Sequence, residues 1–375
     1  MIKQLLSLLL FFVFLFISNI YCQEISSDLP DSNINQNINE STTDISMNSN
    51  ELLLLKEEMS KLKKEFQKLQ EENEARKSLE ITDEEREEKE KEILSAAGRQ
   101  YTLLRKGIMG IENTFKYTFH STDTIKESNR IEHESNHTMG NDLLIEYALL
   151  DNLTLNISIP LVYKHDKNST TNSLTVNDVG DISFGGQFQP MKAGGNLPST
   201  ILYGNFIVPS GRSPYKIMIG KDLSTGSGYY SLNAGMSMNK TVDPIVAFGN
   251  LSISYNHQVT DVDQKYGDAR LEEVEPGNSI GYSMGIGYAL SYKVSMYMSY
   301  QYLYQFTSKY YFKNGGYLSS GSQVSSMLNF GTRWNLTPKQ AINVSLGIGL
   351  TNDSPDFTLS VRIPFEYKPF EKIIE

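Results

Sequence analysis

The stretch LTNDSPDFTLSVRIPFEY, residues 350–367, alternates apolar and polar side chains through its second half. The apolar positions are Phe357, Leu359, Val361, Ile363, Phe365 and Tyr367. Polar and charged residues, among them Arg362 and Glu366, fall between them. Because successive side chains of a strand point to opposite faces, this segment predicts a strand with one wholly apolar face.

The same period of two continues through most of the chain after residue 98. It predicts twelve strands, at residues 110–121, 138–150, 153–166, 180–191, 199–210, 227–240, 244–259, 278–291, 294–311, 322–335, 340–351 and 355–368. Their connections alternate between long and short: STDTIKESNRIEHESN is followed by DN, for example, and only the final NDSP is short where a long one is due. Long and short loops therefore belong to opposite ends of one meander.

This pattern predicts an all-β fold, a membrane-spanning antiparallel up-and-down β-barrel of about 12 strands over residues 98–375. In hydrocarbon every backbone N–H and C=O must be paired, and a closed sheet leaves no edge. The apolar face of residues 357–367 then contacts lipid. A soluble β-sandwich is the alternative, but it does not require regularly alternating loops. Pro160, Pro190 and Pro364 each remove a ladder donor, so we expect bulges or strand ends there.

The N-terminal residues are predicted to form a targeting segment followed by a spacer. Residues 1–22 have the basic start, short apolar run and polar end of a signal peptide. The chain has one cysteine, Cys22, so a mature protein cleaved after it would lack disulfides. Residues 23–50 are rich in Asn, Ser, Asp and Thr, which predicts a disordered spacer.

Residues 51–97 are predicted to form a helical, coiled-coil-like periplasmic segment. Apolar residues recur at steps of three and four, and an asparagine follows them; this seam comprises Leu52, Leu55, Met59, Leu62, Phe66, Leu69 and Asn73. The seam indicates either self-association or an amphipathic helix folded against its own barrel. A second helix follows, with Thr82 and Glu85 as a capping box and Gly98 as a stop. Its heavy charge predicts that it is solvated.

Charge and motif content argue against several classes of function. Residues after 97 carry 23 basic and 24 acidic side chains, so nothing indicates nucleic-acid binding. No Gly-X-Ser-X-Gly motif occurs, and no serine and histidine are convincingly placed as a catalytic nucleophile and its general base. We therefore predict that the protein is not an enzyme. We expect no cofactor, and the histidine spacing does not favour a metal site.

The inward faces of the predicted barrel carry both charged and very small residues. Closure places the last strand beside the first, so the candidate pore-lining charges are Glu112, Lys116, Glu146, Arg333, Arg362 and Glu366. They would tune a pore or pair with one another and fill the interior. The eighth and eleventh strands turn glycine, alanine, serine and asparagine inward between residues 281 and 349. The space this leaves would hold water, a folded-in loop or the N-terminal helix as a plug.

Four segments also carry a family resemblance: residues 350–367, VGDISFGGQFQP at 179–190, GSGYYSLNAGMS at 226–237, and RKGIMGIENTFKYTF at 105–119. They resemble outer-membrane proteins of the MetA-pathway of phenol degradation, or transporter, family. The resemblance covers about 270 residues from 104 onward and excludes the helical segment. It implies a barrel that passes small, aromatic or apolar solutes.

The sequence thus predicts an outer-membrane channel of a Gram-negative bacterium, with a periplasmic N-terminal segment and passive passage of small solutes. Its expected partners are outer-membrane lipid, small-molecule solutes and, through the coiled coil, further copies of the chain. The alternative function is a structural anchor, whose periplasmic coiled coil oligomerises or contacts the cell wall or an inner-membrane partner.

If the seam associates copies of the chain, cross-linking of the intact protein will give oligomers. Substituting both Leu62 and Asn73 will abolish them, because both lie in the predicted seam. Cross-linked products are compared on denaturing gels, and an identical monomer band for both proteins would remove the association hypothesis.

Overall fold

The structure, a computed structural model, describes residues 83–126, 130–168, 173–192, 197–218, 221–242, 244–266, 269–291, 293–313, 315–337 and 340–369, together with 61, 63 and 64. The chain divides into two compact units, Met1–Thr82 and Asp83–Glu375. The architecture below is that of the second unit. The predicted signal peptide and spacer, and the seam from Leu52 to Asn73, lie outside the described residues.

The second unit begins with helix α1, Asp83–Ala97, and a short 3-10 helix, Arg99–Tyr101. Among the described residues, seventeen strands follow: β1 Met109–Lys126, β2 Arg130–Leu150, β3 Leu153–Asn168, β4 Ser173–Val179, β5 Ile182–Met191, β6 Ser199–Val208, β7 Ser231–Val242, β8 Ile245–Asn256, β9 Gln264–Tyr266, β10 Ala269–Glu275, β11 Ser279–Ala289, β12 Val294–Gln305, β13 Lys309–Phe312, β14 Tyr317–Ser319, β15 Gln323–Thr337, β16 Gln340–Gly349 and β17 Phe357–Tyr367. Gly98 follows α1 directly, where the sequence predicted the stop.

Twelve of these strands form a closed antiparallel barrel. Each pairs with its neighbour in the order β1, β2, β3, β5, β6, β7, β8, β11, β12, β15, β16, β17. β17 then pairs with β1 from Met109↔Tyr367 to Phe119↔Phe357, which closes the ring. The twelve-stranded barrel prediction is confirmed, and each predicted strand overlaps one of these twelve.

The outer surface of the barrel is apolar. Along β17, Leu359 is 42% exposed and Phe365 44%, while Arg362 on the opposite face points to the lumen and contacts α1. Neighbouring strands present large apolar side chains in the same way, for example Leu346 on β16 and Phe115 on β1. An apolar surface of this extent is stable only against lipid or another apolar surface. Within the described ranges, no helix is long and apolar enough to cross a bilayer.

Strand pairing changes near each of the three prolines, but a bulge of the kind that the sequence predicted occurs only at Pro190. A register shift between Phe188 and Met191 brackets Pro190. At Pro160, β3 changes partners: Ser158 is its last residue paired with β5, and Leu161 is its first paired with β4. Pairing of β17 with β16 ends at Arg362, before Pro364. On the other side of these two strands the pairing continues through the proline, with Pro160 opposite Asp142 on β2 and Pro364 opposite Glu112 on β1.

Several of the predicted loops contain strands, which corrects their assignment. β4 extends the sheet by pairing with β3. β9, β10, β13 and β14 form a separate four-stranded sheet from the connections that follow β8 and β12. Its core consists of Val262, Leu271 and Val274, with Tyr310 and Phe312 packed against them. The strand predicted at residues 294–311 is therefore two strands, with a break after Gln305.

The final short connection, residues 350–356, is held by side-chain hydrogen bonds to both neighbours. Asp353 Oδ2 accepts from Val324 N on β15 at 2.7 Å, and Asp356 Oδ2 accepts from Ser121 N on β1 at 2.9 Å. Ser354 is buried, and its Oγ donates to Ser326 O. These polar residues fix a tight turn at an end of the barrel where the other connections are long.

A charge on the outward face of β12 is expected to destabilise the barrel. Met298 is 43% exposed on that face, and Met298→Arg should lower the free energy of unfolding from lipid by about 2–4 kcal/mol if the residue lies near the bilayer midplane. The control Ser299→Arg alters the adjacent, lumen-facing position and should cost much less. Urea titration of folding into vesicles measures both, and equal losses would contradict the assignment of the two faces.

Candidate functional site

The barrel encloses a cavity of about 630 Å³. Its wall is mainly amide, hydroxyl and tyrosine side chains, which alternate with the outward apolar residues along each strand. Residues lining it include Asn156, Gln187, Tyr203, Asn205, Asn233, Asn250, Ser283, Gln301 and Asn329. Arg99, Glu146 and Arg362 lie at its boundary with the N-terminal segment. The site is therefore polar, and most of its wall is uncharged.

The last turns of α1 and the residues after it enter the lumen, and we call residues 83–104 the plug. They contact the barrel near its short-turn end, where β2–β3, β7–β8, β11–β12 and β15–β16 are joined by two to four residues. Ile93 packs against Gly287, two residues before β11 ends; a Cβ at Gly287 would collide with Ile93 Cγ2. The small residues that the sequence placed inside the barrel here make room for the N-terminal helix.

The apolar contacts of the plug come from the last turns of α1 and the residues after it. Ile93, Leu94 and Tyr101 form a buried cluster with Val246 and Phe248 of β8. The Tyr101 and Phe248 rings are 4.9 Å apart between centroids. The prediction that this helix is solvated is thus wrong for its C-terminal part, because a single apolar turn within a charged helix is enough to bury it.

Two arginines of the barrel wall hold the C-terminal end of α1. Arg362 Nη2 donates to Ser95 O at 3.2 Å and also to Ala96 O. Arg333 Nη1 donates to Ser95 Oγ at 2.7 Å. Carbonyl groups at a helix C-terminus lack intrahelical partners and carry partial negative charge, so these cations both satisfy and stabilise that end.

Arg99, one residue beyond Gly98, joins the plug to the first two strands. Its Nε donates to Glu112 Oε2 at 3.0 Å, and its Nη1 lies 3.6 Å from Glu146 Oε2. Both carboxylates are buried, and Glu112 Oε1 is also 3.8 Å from Arg362 Nη1. The two carboxylates and two guanidinium groups form a compact network across β17, β1 and β2.

Tyr101 reaches furthest along the wall from the helix. Its hydroxyl is 3.1 Å from Ser283 Oγ, and its carbonyl accepts from Asn239 Nδ2 at 3.3 Å. Burial raises the pKa of Tyr101 to about 12. The hydroxyl therefore stays neutral at physiological pH, and its contact with Ser283 does not depend on pH in that range.

The helix is also tied to the wall nearer its N-terminus. Thr241 Oγ1 donates to Glu90 Oε2 at 2.6 Å, and Asn335 Nδ2 donates to Glu92 Oε1 at 2.6 Å. Thr241 and Asn335 lie one and two residues before β7 and β15 end. These contacts connect α1 to two separate strands at the short-turn end.

The structure brings four of the six predicted lumenal charges together. Glu112, Glu146 and Arg362 meet around Arg99, and Arg333 bonds the same helix end as Arg362. Glu366 faces Gly110 in the β1–β17 register and is exposed. Lys116 lies further along β1, opposite Ser360, and within the described part of the chain it has no ion-pair partner.

Sequence reasoning missed Arg99 and Tyr101, which carry much of the plug's attachment. The available signal was weak: a basic and an aromatic residue just after a helix stop and before the first strand. Across the described ranges, no group of three or more His, Cys, Asp or Glu residues is arranged to hold a metal ion.

Comparison with known proteins agrees with the resemblance seen in the sequence. The family model "Putative MetA-pathway of phenol degradation" matches residues 119–366. The COG4313 outer membrane channel from Pseudomonas putida F1 has 14% identity to the chain and a TM-score of 0.54, and the match covers 72% of this chain and 98% of that one. At this identity the match establishes a shared fold.

Two further solved structures are less similar. The translocator domain of the autotransporter NalP from Neisseria meningitidis has 13% identity and a TM-score of 0.39, covering 73% of this chain and 91% of that one. The transport unit of AIDA-I from Escherichia coli has 13% identity and a TM-score of 0.39, covering 69% and 89%.

Replacing Arg99 with Met is expected to release the plug, because it leaves Glu112 and Glu146 buried without their main partner. Removing one member of a buried ionic network costs about 3–5 kcal/mol. Hydrogen exchange of residues 83–101 should therefore accelerate while the barrel strands stay protected.

The matched control is Arg105→Met, in the same connecting segment but exposed. It should leave exchange in residues 83–101 unchanged. Unchanged protection in Arg99→Met would show that the ionic network does not hold the plug.

Proposed function

The chain belongs to the MetA-pathway of phenol degradation family, and from that premise we propose that it is an outer-membrane channel for passive passage of small solutes, gated by its N-terminal plug. The observation that carries the proposal is a polar cavity inside a closed barrel with an apolar exterior, with a helix rather than barrel strands closing one end.

The way the plug is held supports gating. Every barrel strand pairs with two neighbouring strands, and β1 pairs with β17 and β2 without help from α1. The contacts from the plug to the barrel wall are side-chain hydrogen bonds, ion pairs and apolar packing, such as those of Ser95, Arg99 and Ile93. The plug can therefore leave the lumen without breaking the backbone ladder.

The proposed arrangement in the cell follows from the loops and the apolar belt. The long loops and the four-stranded sheet face the outside of the cell, and the short turns face the periplasm. The plug then enters from the periplasmic side. We assign residues 1–22 to a signal peptide, 23–50 to a spacer and 51–97, which include α1, to a helical segment that enters from the periplasm.

The predicted lumenal charges take two roles in this proposal. Arg333, Arg362, Glu112 and Glu146 hold the plug, and they become pore-lining charges once it moves. Lys116 lies apart from the plug contacts and influences ions that enter the lumen. Glu366 lies close enough to Arg99 and Arg333 to attract both. In the ionic network, the carboxylates of Glu112 and Glu146 offset the guanidinium groups of Arg99 and Arg362. This balance of charge favours the closed state.

A second candidate function rests on the heptad seam of residues 52–73. In that case the barrel chiefly anchors a periplasmic coiled coil, which oligomerises or contacts the cell wall or an inner-membrane partner. The cross-linking comparison of Leu62 and Asn73 tests this candidate separately from conduction.

A reversible lock on the plug tests gating in the intact chain. An ideal Cβ at Gly287 lies 3.7 Å from Ile93 Cβ, a separation typical of disulfides. In planar bilayers, the oxidised Ile93→Cys, Gly287→Cys protein should pass less current than the same protein after reduction. The current should fall because the disulfide traps the plug in its closed position.

Each single cysteine variant serves as a control and should respond to neither oxidant nor reductant. Absence of current in every state, in the wild type and in the variants, would overturn the channel proposal. Current that is equal in the locked and reduced protein would retain the channel and remove the plug as its gate.

A further inference from the structure

Two asparagines interrupt the apolar outer face of the first two strands. Glu112 on β1 and Glu146 on β2 point into the lumen, where both meet Arg99. Side chains alternate between the two faces of a strand, and the β1–β2 register has no bulge between these positions. Asn113 and Asn141, one and five residues from the two glutamates, therefore point outward.

The surroundings of these asparagines on the outer face are apolar. Asn113 lies between β2 and β17, and Asn141 lies between β1 and β3. Their outward neighbours along and across the strands are Ile111, Phe115, Met139, Leu143, Leu161 and Ile363. The two amides are thus a polar spot inside an apolar surface.

The polar spot lies near the middle of the apolar belt. Along β1, Asn113 is four residues from Met109, which pairs with Tyr147 and Tyr367, and four residues from Tyr117 on the other side. Tyrosines on the outside of a barrel mark the level of the lipid headgroups. At about 3.4 Å per residue and a tilt of about 40°, four residues cover roughly 10 Å of depth. Headgroups on either side therefore lie too far away to bond the amides.

The two amides bond to each other and still have unused groups. Asn141 Nδ2 donates to Asn113 Oδ1 at 2.9 Å. Within the described part of the chain, Asn113 Nδ2 and Asn141 Oδ1 make no hydrogen bond, and neither atom is enclosed by the protein. A molecule beside the barrel can therefore reach one free donor and one free acceptor. We call Asn113 and Asn141 the amide pair.

The surrounding hydrocarbon does not satisfy these groups. Acyl chains carry neither donors nor acceptors, and an amide without a partner in hydrocarbon is unfavourable. A second copy of the chain supplies both missing groups by symmetry. A two-fold axis along the membrane normal keeps the two amide pairs at one depth and sets Asn113 of each copy opposite Asn141 of the other.

We propose that the outer faces of β1 and β2 form a contact between two copies of the chain, in which Asn113 Nδ2 of each copy donates to Asn141 Oδ1 of the other. The apolar neighbours of the amide pair pack around these two bonds, as side chains do between membrane segments joined by polar groups. The contact goes beyond the proposed channel function and does not depend on it. It is also separate from the coiled-coil seam, because α1 of each copy stays in its own lumen.

The test measures association of full-length barrels in vesicles, with Leu62 and Asn73 both substituted so that the seam does not contribute. Copies are labelled with donor or acceptor dyes through Lys265→Cys, at an exposed external position. Energy transfer between them should rise with the protein-to-lipid ratio as dimers form. Adding Asn113→Leu and Asn141→Leu should shift the midpoint of this rise at least about tenfold toward higher protein density, because two bonds between the copies are lost.

The matched control is Thr332→Val, which also replaces a polar outward residue with an apolar one. Thr332 lies on β15, three strands away from β1 around the ring, beside Met296 and Val344. Its midpoint should equal that of the parent. Heat-modifiable migration on gels confirms that each variant folds, and both leucines add to the apolar belt rather than interrupt it.

Three results would overturn the proposal: no energy transfer in the parent protein at any density, an unchanged midpoint in the amide-pair variant, or an equal shift in Thr332→Val. The first of these needs no variant, so the proposal stays open to refutation even if the double substitution fails to fold. Bilayer current is recorded on the same preparations. Current from a protein that does not associate would leave the channel and remove the contact.

Association without current would have the opposite meaning. The contact between barrels would stand, and the channel proposal would fall.

Discussion

Pairing of the first and last strands is the constraint on which the rest of the molecule depends. β1 and β17 join along eleven consecutive residue pairs, from Met109↔Tyr367 to Phe119↔Phe357. An open sheet would expose a row of backbone donors and acceptors to hydrocarbon, where water cannot satisfy them. Once the sheet closes, the period of two sends one face to the apolar surroundings and the other to the lumen. Apolar exterior, polar cavity and plug site all follow from that division.

The lumen uses its polar groups in two different ways. Near the short-turn end, arginines and carboxylates pair with one another and with the carbonyls that end α1, so a charged region is buried at little net charge. Toward the middle, amides and hydroxyls line free space. The ionic network favours a fixed protein segment, and the uncharged polar lining favours a solute that can exchange.

Periodicity and loop length predicted the barrel because both are local in sequence: an outward Phe357 and an inward Arg362 are visible in a few residues. The strands β9, β10 and β14 were missed because three or seven residues in a long connection give too little alternation to recognise. Plug attachment was missed for another reason. Arg99 is followed along the chain by Glu112 and Glu146, and Ser95 by Arg333, but only closure of the ring brings these groups within bonding distance.

The ionic network around Arg99 also has a consequence for biogenesis. It spans the junction where the last strand, β17, pairs with the first, β1. Glu112 is on β1, Glu146 is on β2, and Arg362 on β17 contacts both Glu112 and the end of α1. A ring that closed around an empty lumen would leave Glu146 without Arg99 and Glu112 with Arg362 alone. The helix, in turn, meets Glu112 and Arg362 side by side only where β1 and β17 have paired. Pairing of β1 with β17 and insertion of the helix therefore stabilise each other. A barrel that holds its helix is one whose terminal strands have paired correctly.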